Sequence, residues 1–255
     1  MIRIVDSPFL VFIVSLLAQW GAAYVGDLLR RTAKPVKTEE RADLDTVLTA
    51  TLTLLALIIG FTFSMAVSRY DLRKNYEEAE ANAIGTEFLR ADLLPADDAV
   101  NTRRLLRGYL DQRIAFYRSG VVVPGSVKAD MTKTQNELWS SVVHGTAGQP
   151  TPIALLVLSG MNDVINAEGY TQAAWWNRIP LAAWALMGIM ALVSHMLLGY
   201  RERRTNVLVL TVLPVIVSIA FFLISDIDSP NEGVIRVAPY DLIAVSISTR
   251  QEPTR

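Results

Sequence analysis

Thr46 to Ser68 reads TVLTATLTLLALIIGFTFSMAVS, and Arg69 to Leu94 continues it as RYDLRKNYEEAEANAIGTEFLRADLL, with no proline or loop-like cluster between them. The first part holds 22 uncharged residues, Val47 to Ser68. A helix of ~20 apolar residues is long enough to cross a bilayer. The second part is rich in Ala, Glu, Leu and Arg, which favour helix, and too charged for lipid. The pair predicts one long helix, or two nearly collinear ones, that leaves the membrane at Arg69 and continues into water.

Three other windows have spanning character. Ser7 to Gly26 is uncharged for 20 residues. A cleaved signal peptide is its rival reading, but Asp6 spoils the basic leader. Ser15, Ala18, Ala22 and Gly26 share one helical stripe, a spacing that lets backbones approach closely in lipid. Ile179 to Tyr200 follows Trp175, Trp176 and Arg178, the residue types expected at the headgroups. Thr205 to Ser225 follows the short polar turn Arg201–Arg204 and carries Pro214, expected to kink it. Leu28 to Asp45 reads as a polar connector.

Between the second and third windows lie 110 mostly polar residues, Arg69 to Arg178. Val100–Ser119 predicts a helix with Leu106, Tyr109, Leu110, Ile114 and Tyr117 inward and Arg103, Arg104, Arg107 and Arg113 on the opposite face. Val127–Val143 predicts another, with Met131, Leu138, Trp139 and Val142 inward. Pro152 suits a first helical position and opens a further helix over 153–167. Helices with one apolar stripe must bury it against each other, so a bundle is expected. The expectation is an all-α integral membrane protein of four transmembrane helices with a helical bundle inserted between the second and third. Its parts are residues 1–68, a first membrane pair with a connector; 69–178, the bundle; 179–225, a membrane hairpin; and 226–255, a C-terminal tail.

Composition agrees with a chain divided between lipid and water: 51% of residues are hydrophobic and 19% charged. A formal net charge of −1 gives no field to attract nucleic acid. The absence of cysteine and the presence of only two histidines, His144 and His195, exclude disulfides, thiolate nucleophiles and metal sites built on several imidazoles. No catalytic triad, phosphate loop or nucleic-acid motif is present, so no enzyme activity and no cofactor are expected. Near the span ends the two connectors hold eight Lys and Arg and the bundle side six. By the positive-inside rule this leans towards a multi-pass protein of the inner membrane with its bundle outside.

A few groups are chemically suggestive. Glu77, Glu80 and Glu87 lie near one helical face, but a di-iron bundle needs Glu-x-x-His pairs that are missing, which leaves a solvated or inter-subunit charged face. Asp226 and Asp228, in DIDSPNEG, are cation-site candidates; the EF-hand pattern fails at Asn231 and Val237, and a polar turn capping the fourth span is the other reading. His195 is an intramembrane ionisable group, read either as a functional site or as a neutral, hydrogen-bonded imidazole. Leu55, Ile59 and Phe63 follow one another at i, i+4 and i+8. Several copies around an axis would make them a hydrophobic constriction, with Arg69 and Arg73 at its mouth favouring anions. The alternative is packing against lipid or the third span.

GFTFSMAVSRYDLR from Gly60, EEAEANAIGTEFLRADLLP from Glu77, YLDQRIAFY from Tyr109, LSGMNDVIN, the Arg178-Ile179-Pro180 entry and LISDIDSPNEG resemble bacterial membrane proteins described as bestrophin-like, a domain of unknown function. The resemblance covers nearly the whole chain. It implies kinship with bestrophins, pentameric anion channels whose second membrane helix lines a hydrophobic neck, to which Leu55, Ile59 and Phe63 are similar in type and spacing. Bestrophin bundles are cytosolic, opposite to the side favoured by the charge count, and the dense acidic cluster of calcium-gated animal members is absent. The expectation is a homo-oligomer, pentameric by analogy, in contact with lipid and small inorganic ions and lined by the second membrane helix. The alternative is a non-conducting scaffold or sensor whose bundle binds a protein partner.

Overall fold

The computed structural model describes residues 7–32, 38–119, 125–148, 152–201, 207–230 and 233–251. Among them are eight α-helices: α1 (Pro8–Thr32), α2 (Thr38–Arg90), α3 (Ala96–Ser119), α4 (Gly125–Thr146), α5 (Pro152–Trp176), α6 (Leu181–Arg201), α7 (Val207–Asp228) and α8 (Tyr240–Gln251). Ala91–Leu93 closes α2 with a 3₁₀ turn. Four helical stretches are long and apolar enough to cross a membrane. The expected long helix is a single one: α2 runs for 53 residues without interruption. At 1.5 Å per residue that is ~80 Å, against ~30 Å of hydrocarbon, so α2 must be largely outside lipid.

The polar connector 28–45 is mostly helical. α1 continues to Thr32 because Asp27 receives both Arg30 and Arg31, at 2.5 and 2.7 Å, one turn further on. Lys34 and Lys37, the residues Glu202–Arg204 of the short turn, and Val121–Pro124 lie outside the described residues.

The chain divides into two compact units, Met1–Arg69 with Arg178–Ile235 and Tyr70–Asn177 with Arg236–Arg255. In the first, α1 lies against α6 and α7. Lipid removes the hydrophobic drive between helices, so association depends on close packing. A Cβ built on Gly26 would come within 2.0 Å of the Met196 carbonyl oxygen, and one on Gly199 within 1.9 Å of the Ala23 carbonyl oxygen. The α1 and α6 backbones therefore touch, running parallel, with Gly26 of the small-residue stripe at the contact. Against α7, Phe9 and Phe12 pack on Phe222 at 5.3 and 6.5 Å, and Gln19 Nε2 donates to Ser218 Oγ at 3.1 Å.

The second unit has a core made by α2, α3, α4, α5 and α8. The α3 stripe is buried as expected, and so are Met131, Leu138 and Val142 of α4. Trp139 instead faces outward. Trp175, expected at the headgroups, is buried against Phe116 and Tyr117 at 4.6 and 5.6 Å, while Trp176 is exposed. The helix started by Pro152 continues to Trp176, well past Ala167. The tail holds a further helix, α8. Glu77 Oε1 accepts the Leu242 N–H of its first turn at 3.0 Å, and Arg107 donates to the Thr249 carbonyl near its end at 2.6 Å. Both contacts satisfy helix-end groups that have no partner inside the helix.

The acidic face of α2 is internal rather than solvated, and each carboxylate is handled differently. Glu80 pairs with Arg113 through both oxygens and also accepts Thr171 Oγ1 at 3.1 Å. Arg113, from the face expected to be arginine-rich and outward, is buried, with its guanidinium 4.7 Å from the Phe116 ring centroid. Burial pushes Glu77 up to about 7; the Leu242 N–H opposes this and neighbouring Asp241 adds to it. Glu87 is fully buried, with Arg90 3.8 Å away, and neither carboxylate oxygen has a hydrogen-bond partner among the described residues. Burial pushes it up to about 8; Arg90 pulls it down and Asp163 pushes it up. Among the described residues no group of three His, Cys, Asp or Glu side chains converges as a metal site.

Two outcomes are expected. Gly199→Leu cannot be accommodated without parting α1 and α6, and should cost more than ~3 kcal/mol of stability; Gly21→Ala, whose Cβ meets nothing within 4 Å, should be neutral or better. Thermal unfolding of both in detergent measures the contrast. Folded Glu87 and Glu77 hold protons that the unfolded chain releases above its ordinary carboxylate range. Stability should therefore fall as pH rises from about 5 to about 8, by at most ~1.4 kcal/mol per group for each pH unit. Glu87→Gln should match the parent at pH 5 and melt higher than it at pH 8.

Candidate pore helix

Helical rotation of ~100° per residue sorts the side chains of α2. In its membrane half Leu48, Leu55, Thr62 and Ala66 form the buried line. Beyond the span the same line continues as Arg73, Glu77, Glu80, Ile84 and Glu87. Steps of four residues overshoot a full turn by ~40°, so Leu55, Ile59 and Phe63 span an arc of ~80° that starts on the buried line and turns outward from it. Leu55 is 2% exposed, Ile59 is intermediate and Phe63 is 39% exposed. Gly60, Ser64 and Ser68, on the side away from the buried line, are exposed. The span as a whole has little cover: 17% of its most apolar 18-residue window is buried.

Thr51, Thr53 and Thr62 need no partner helix for their hydroxyls. Thr53 Oγ1 donates to the Thr49 carbonyl at 2.8 Å and Thr62 Oγ1 to the Ile58 carbonyl at 2.8 Å, each one turn back.

The arginines proposed for the mouth turn inward. Arg69 is largely buried, and its Nη1 lies 3.8 Å from Asp228 Oδ1. Arg73 is 1% exposed. Neither is a solvent-facing cation in the single chain.

Asp228 and Asp226 act on backbone. The Ile179 N–H donates to both Asp228 oxygens, at 3.3 and 3.1 Å, where the chain enters α6. Arg178 Nη1 donates to the Asp228 carbonyl at 3.1 Å. The Val234 and Ile235 N–H groups donate to Asp226 Oδ1 and Oδ2 at 2.6 and 2.9 Å. Gly233 is pressed to within 2.6 Å of the Asp226 carbonyl oxygen at the position a Cβ would take, so no other residue type fits. Each carboxylate oxygen thus faces an N–H donor, and a cation would have to displace these donors.

His195 is buried in α6, with Nδ1 2.7 Å from the Ala191 carbonyl and Nε2 without a partner among the described residues. A carbonyl oxygen only accepts, so the contact makes Nδ1 a protonated nitrogen. The Asp228–Ile179 and Asp226–Val234 caps had one sequence signal, the acidic pair closing an apolar run before Ser-Pro-Asn. The Glu80–Arg113 pair had none, because its members are 33 residues apart on different helices.

No curated protein matches the chain. Among solved structures it is similar to a bacterial bestrophin homologue from Klebsiella pneumoniae. One single-residue variant of that protein matches at 14% identity and a TM-score of 0.64, over 94% of this chain and 96% of that one. Another matches at 11% identity and 0.62, over 94% of each chain. The form solved by zinc phasing matches at 15% identity and 0.61, over 96% and 99%. At such identities the likeness is one of fold. A family model, the Bestrophin-like domain, matches residues 15–242. That match begins within α1 and ends in α8, and the chain belongs to the Bestrophin-like family.

Proposed function

We propose that copies of this chain surround a common axis and form an ion-conducting pore lined by α2. The supporting observation is the poor cover of the α2 span, 17% of whose most apolar window is buried in the protomer. It exposes Gly60, Ser64 and Ser68 on one side and Phe63 on another. Small and hydroxyl-bearing residues suit a face against water or a second copy better than one against acyl chains. Phe63, the most exposed of the three apolar candidates, is the proposed constriction residue, and Ile59 stands beside it. Membership of a family whose name-giving proteins are channels supports the same reading.

Anion preference would require Arg69 and Arg73 to face the axis, and in the protomer both are turned inward. The proposal is therefore ion conduction, with the sign of selectivity read from the reversal potential. Purified protein in planar bilayers should give discrete currents that Phe63→Ala increases several-fold. Silence from a well-folded oligomer would favour the non-conducting scaffold instead.

The charge balance of the connectors leads us to place the bundle outside the inner membrane. The cysteine-free chain makes the test direct. Lys133→Cys, at a well-exposed position on α4, should react with a membrane-impermeant maleimide on intact spheroplasts; protection until lysis would reverse the orientation.

A further inference from the structure

α8 is a helix of 12 residues held to the extramembrane unit chiefly by its ends. Leu242 and Thr249 are its buried residues. Between them Val245 rests on Gly85 of α2, both methyls lying 3.5 Å from the position a Cβ would take there. At the C-terminal end Arg107 of α3 donates to the Thr249 carbonyl through Nε and Nη2, at 3.2 and 2.6 Å, and Arg250 Nη2 meets both oxygens of Asp111 at 2.6 and 2.9 Å. At the N-terminal end the Leu242 N–H donates to Glu77 Oε1 at 3.0 Å. A helix this short is marginal by itself, and two buried side chains add little, so α8 keeps its place through these side chains of its neighbours.

The two ends differ in chemistry. An arginine keeps its charge throughout the range in which proteins fold, so the Arg107 contact is insensitive to pH. Glu77 can gain or lose a proton, and it is 1% exposed. The Asp241 carboxyl, in the same turn of α8 as Leu242, is hydrogen-bonded to it. Two carboxyls in contact repel strongly when both are ionised and are stable with a proton between them. The other ionisable groups around Glu77 are Arg73 and Glu80, one turn to either side on α2, Tyr117 and Arg113 from α3, and Glu168 of α5 beyond Arg113. Glu80 and Arg113 neutralise each other. The Asp241 and Leu242 N–H groups favour the anion of Glu77, whereas burial and the Asp241 carboxyl favour the acid; burial is the largest effect, and Glu77 is pushed up to about 7.

We propose that α8 is a pH-operated latch: a proton shared by Glu77 and Asp241 holds its first turn on α2, and loss of that proton frees the helix from this end while the rest of the bundle stays folded. With α8 in place Glu77 keeps its proton until near neutrality. With α8 away, water and the departure of Asp241 return it to the ordinary carboxylate range. The docked state therefore binds more protons between those limits. Docking weakens as pH rises from about 5 to about 8, by at most about tenfold per pH unit for one proton, and is level beyond. The latch is independent of whether the chain conducts.

The test is hydrogen–deuterium exchange of the full chain in detergent, in steps from about pH 5 to about pH 9, with each rate divided into the intrinsic rate at that pH. Amides of α8 should be less protected than those of residues 105–110 in α3 at every pH, because a local opening suffices to expose them. Their protection should fall about ten- to a hundredfold by about pH 8. Glu77→Gln, whose amide oxygen still accepts the Leu242 N–H and whose NH₂ donates to Asp241, should hold α8 protected and flat across the range. Glu87→Gln, which leaves the α8 contacts untouched, should keep the parent profile of α8. Asp241→Asn, at an exposed position, should shrink the loss and serves if Glu77→Gln fails to fold. A flat α8 profile in the parent would overturn the proposal. So would α8 and α3 amides of equal protection, the mark of global unfolding, or a parent-like slope in folded Glu77→Gln.

Discussion

The first charge after the uncharged run of α2 is Arg69, and its counter-charge is Asp228, the last residue of α7. The same carboxylate receives the Ile179 N–H just before α6. One side chain thus ties the end of the second span, the entrance of the third and the end of the fourth. Ions are costly in hydrocarbon, and at a helix terminus the backbone N–H groups lack intrahelical partners. A carboxylate that meets an arginine and a backbone N–H relieves both costs at one point. Asp226, two residues earlier, does the equivalent for the loop that follows, where Gly233 leaves the room it needs.

Beyond Arg69, α2 keeps the same buried line but changes its chemistry. Leu55, Thr62 and Ala66 give way to Arg73, Glu77 and Glu80. Buried charges in a helical unit are tolerated only when paired or neutralised. Glu80 has Arg113 and Thr171, whereas Glu87 has an arginine 3.8 Å away and is pushed up to about 8 by burial. Gly160 lies against that acid, at a distance where a Cβ would sit 2.0 Å from Oε2. The α2–α5 contact is therefore close as well as polar.

Much of this was legible from residue order. Long uncharged runs marked the spans, the lack of any breaker between Ser68 and Arg69 marked a continuous α2, and Pro152 marked a helix start. These are local signals, and each concerns one segment's relation to water or lipid. What escaped was relational. The arginine-rich face of α3 looked outward because Glu80, the partner that permits Arg113 to be buried, lies on another helix. Trp175 looked interfacial because Phe116 and Tyr117, which cover it, are remote in sequence. α8 escaped because its short alternation of apolar and polar residues has no strong stripe, and it owes its place to Glu77 and Arg107. For the candidate pore the spacing of Leu55, Ile59 and Phe63 was readable, but which of them turns away from the protomer depends on where the neighbouring helices lie.

The parallel packing of α1 on α6, with the Gln19–Ser218 bridge to α7, has a bearing on how the molecule is made. The bridged residues are 199 positions apart. At ~5–20 residues per second, a ribosome needs roughly 10–40 s to pass from one to the other. For that interval the nascent first helix resides in the bilayer with Gly26 unmatched and Gln19 Nε2 bonded only to the Ser15 carbonyl of its own helix. The first helix can take up its packed place only after α6 and α7 have followed it into the bilayer.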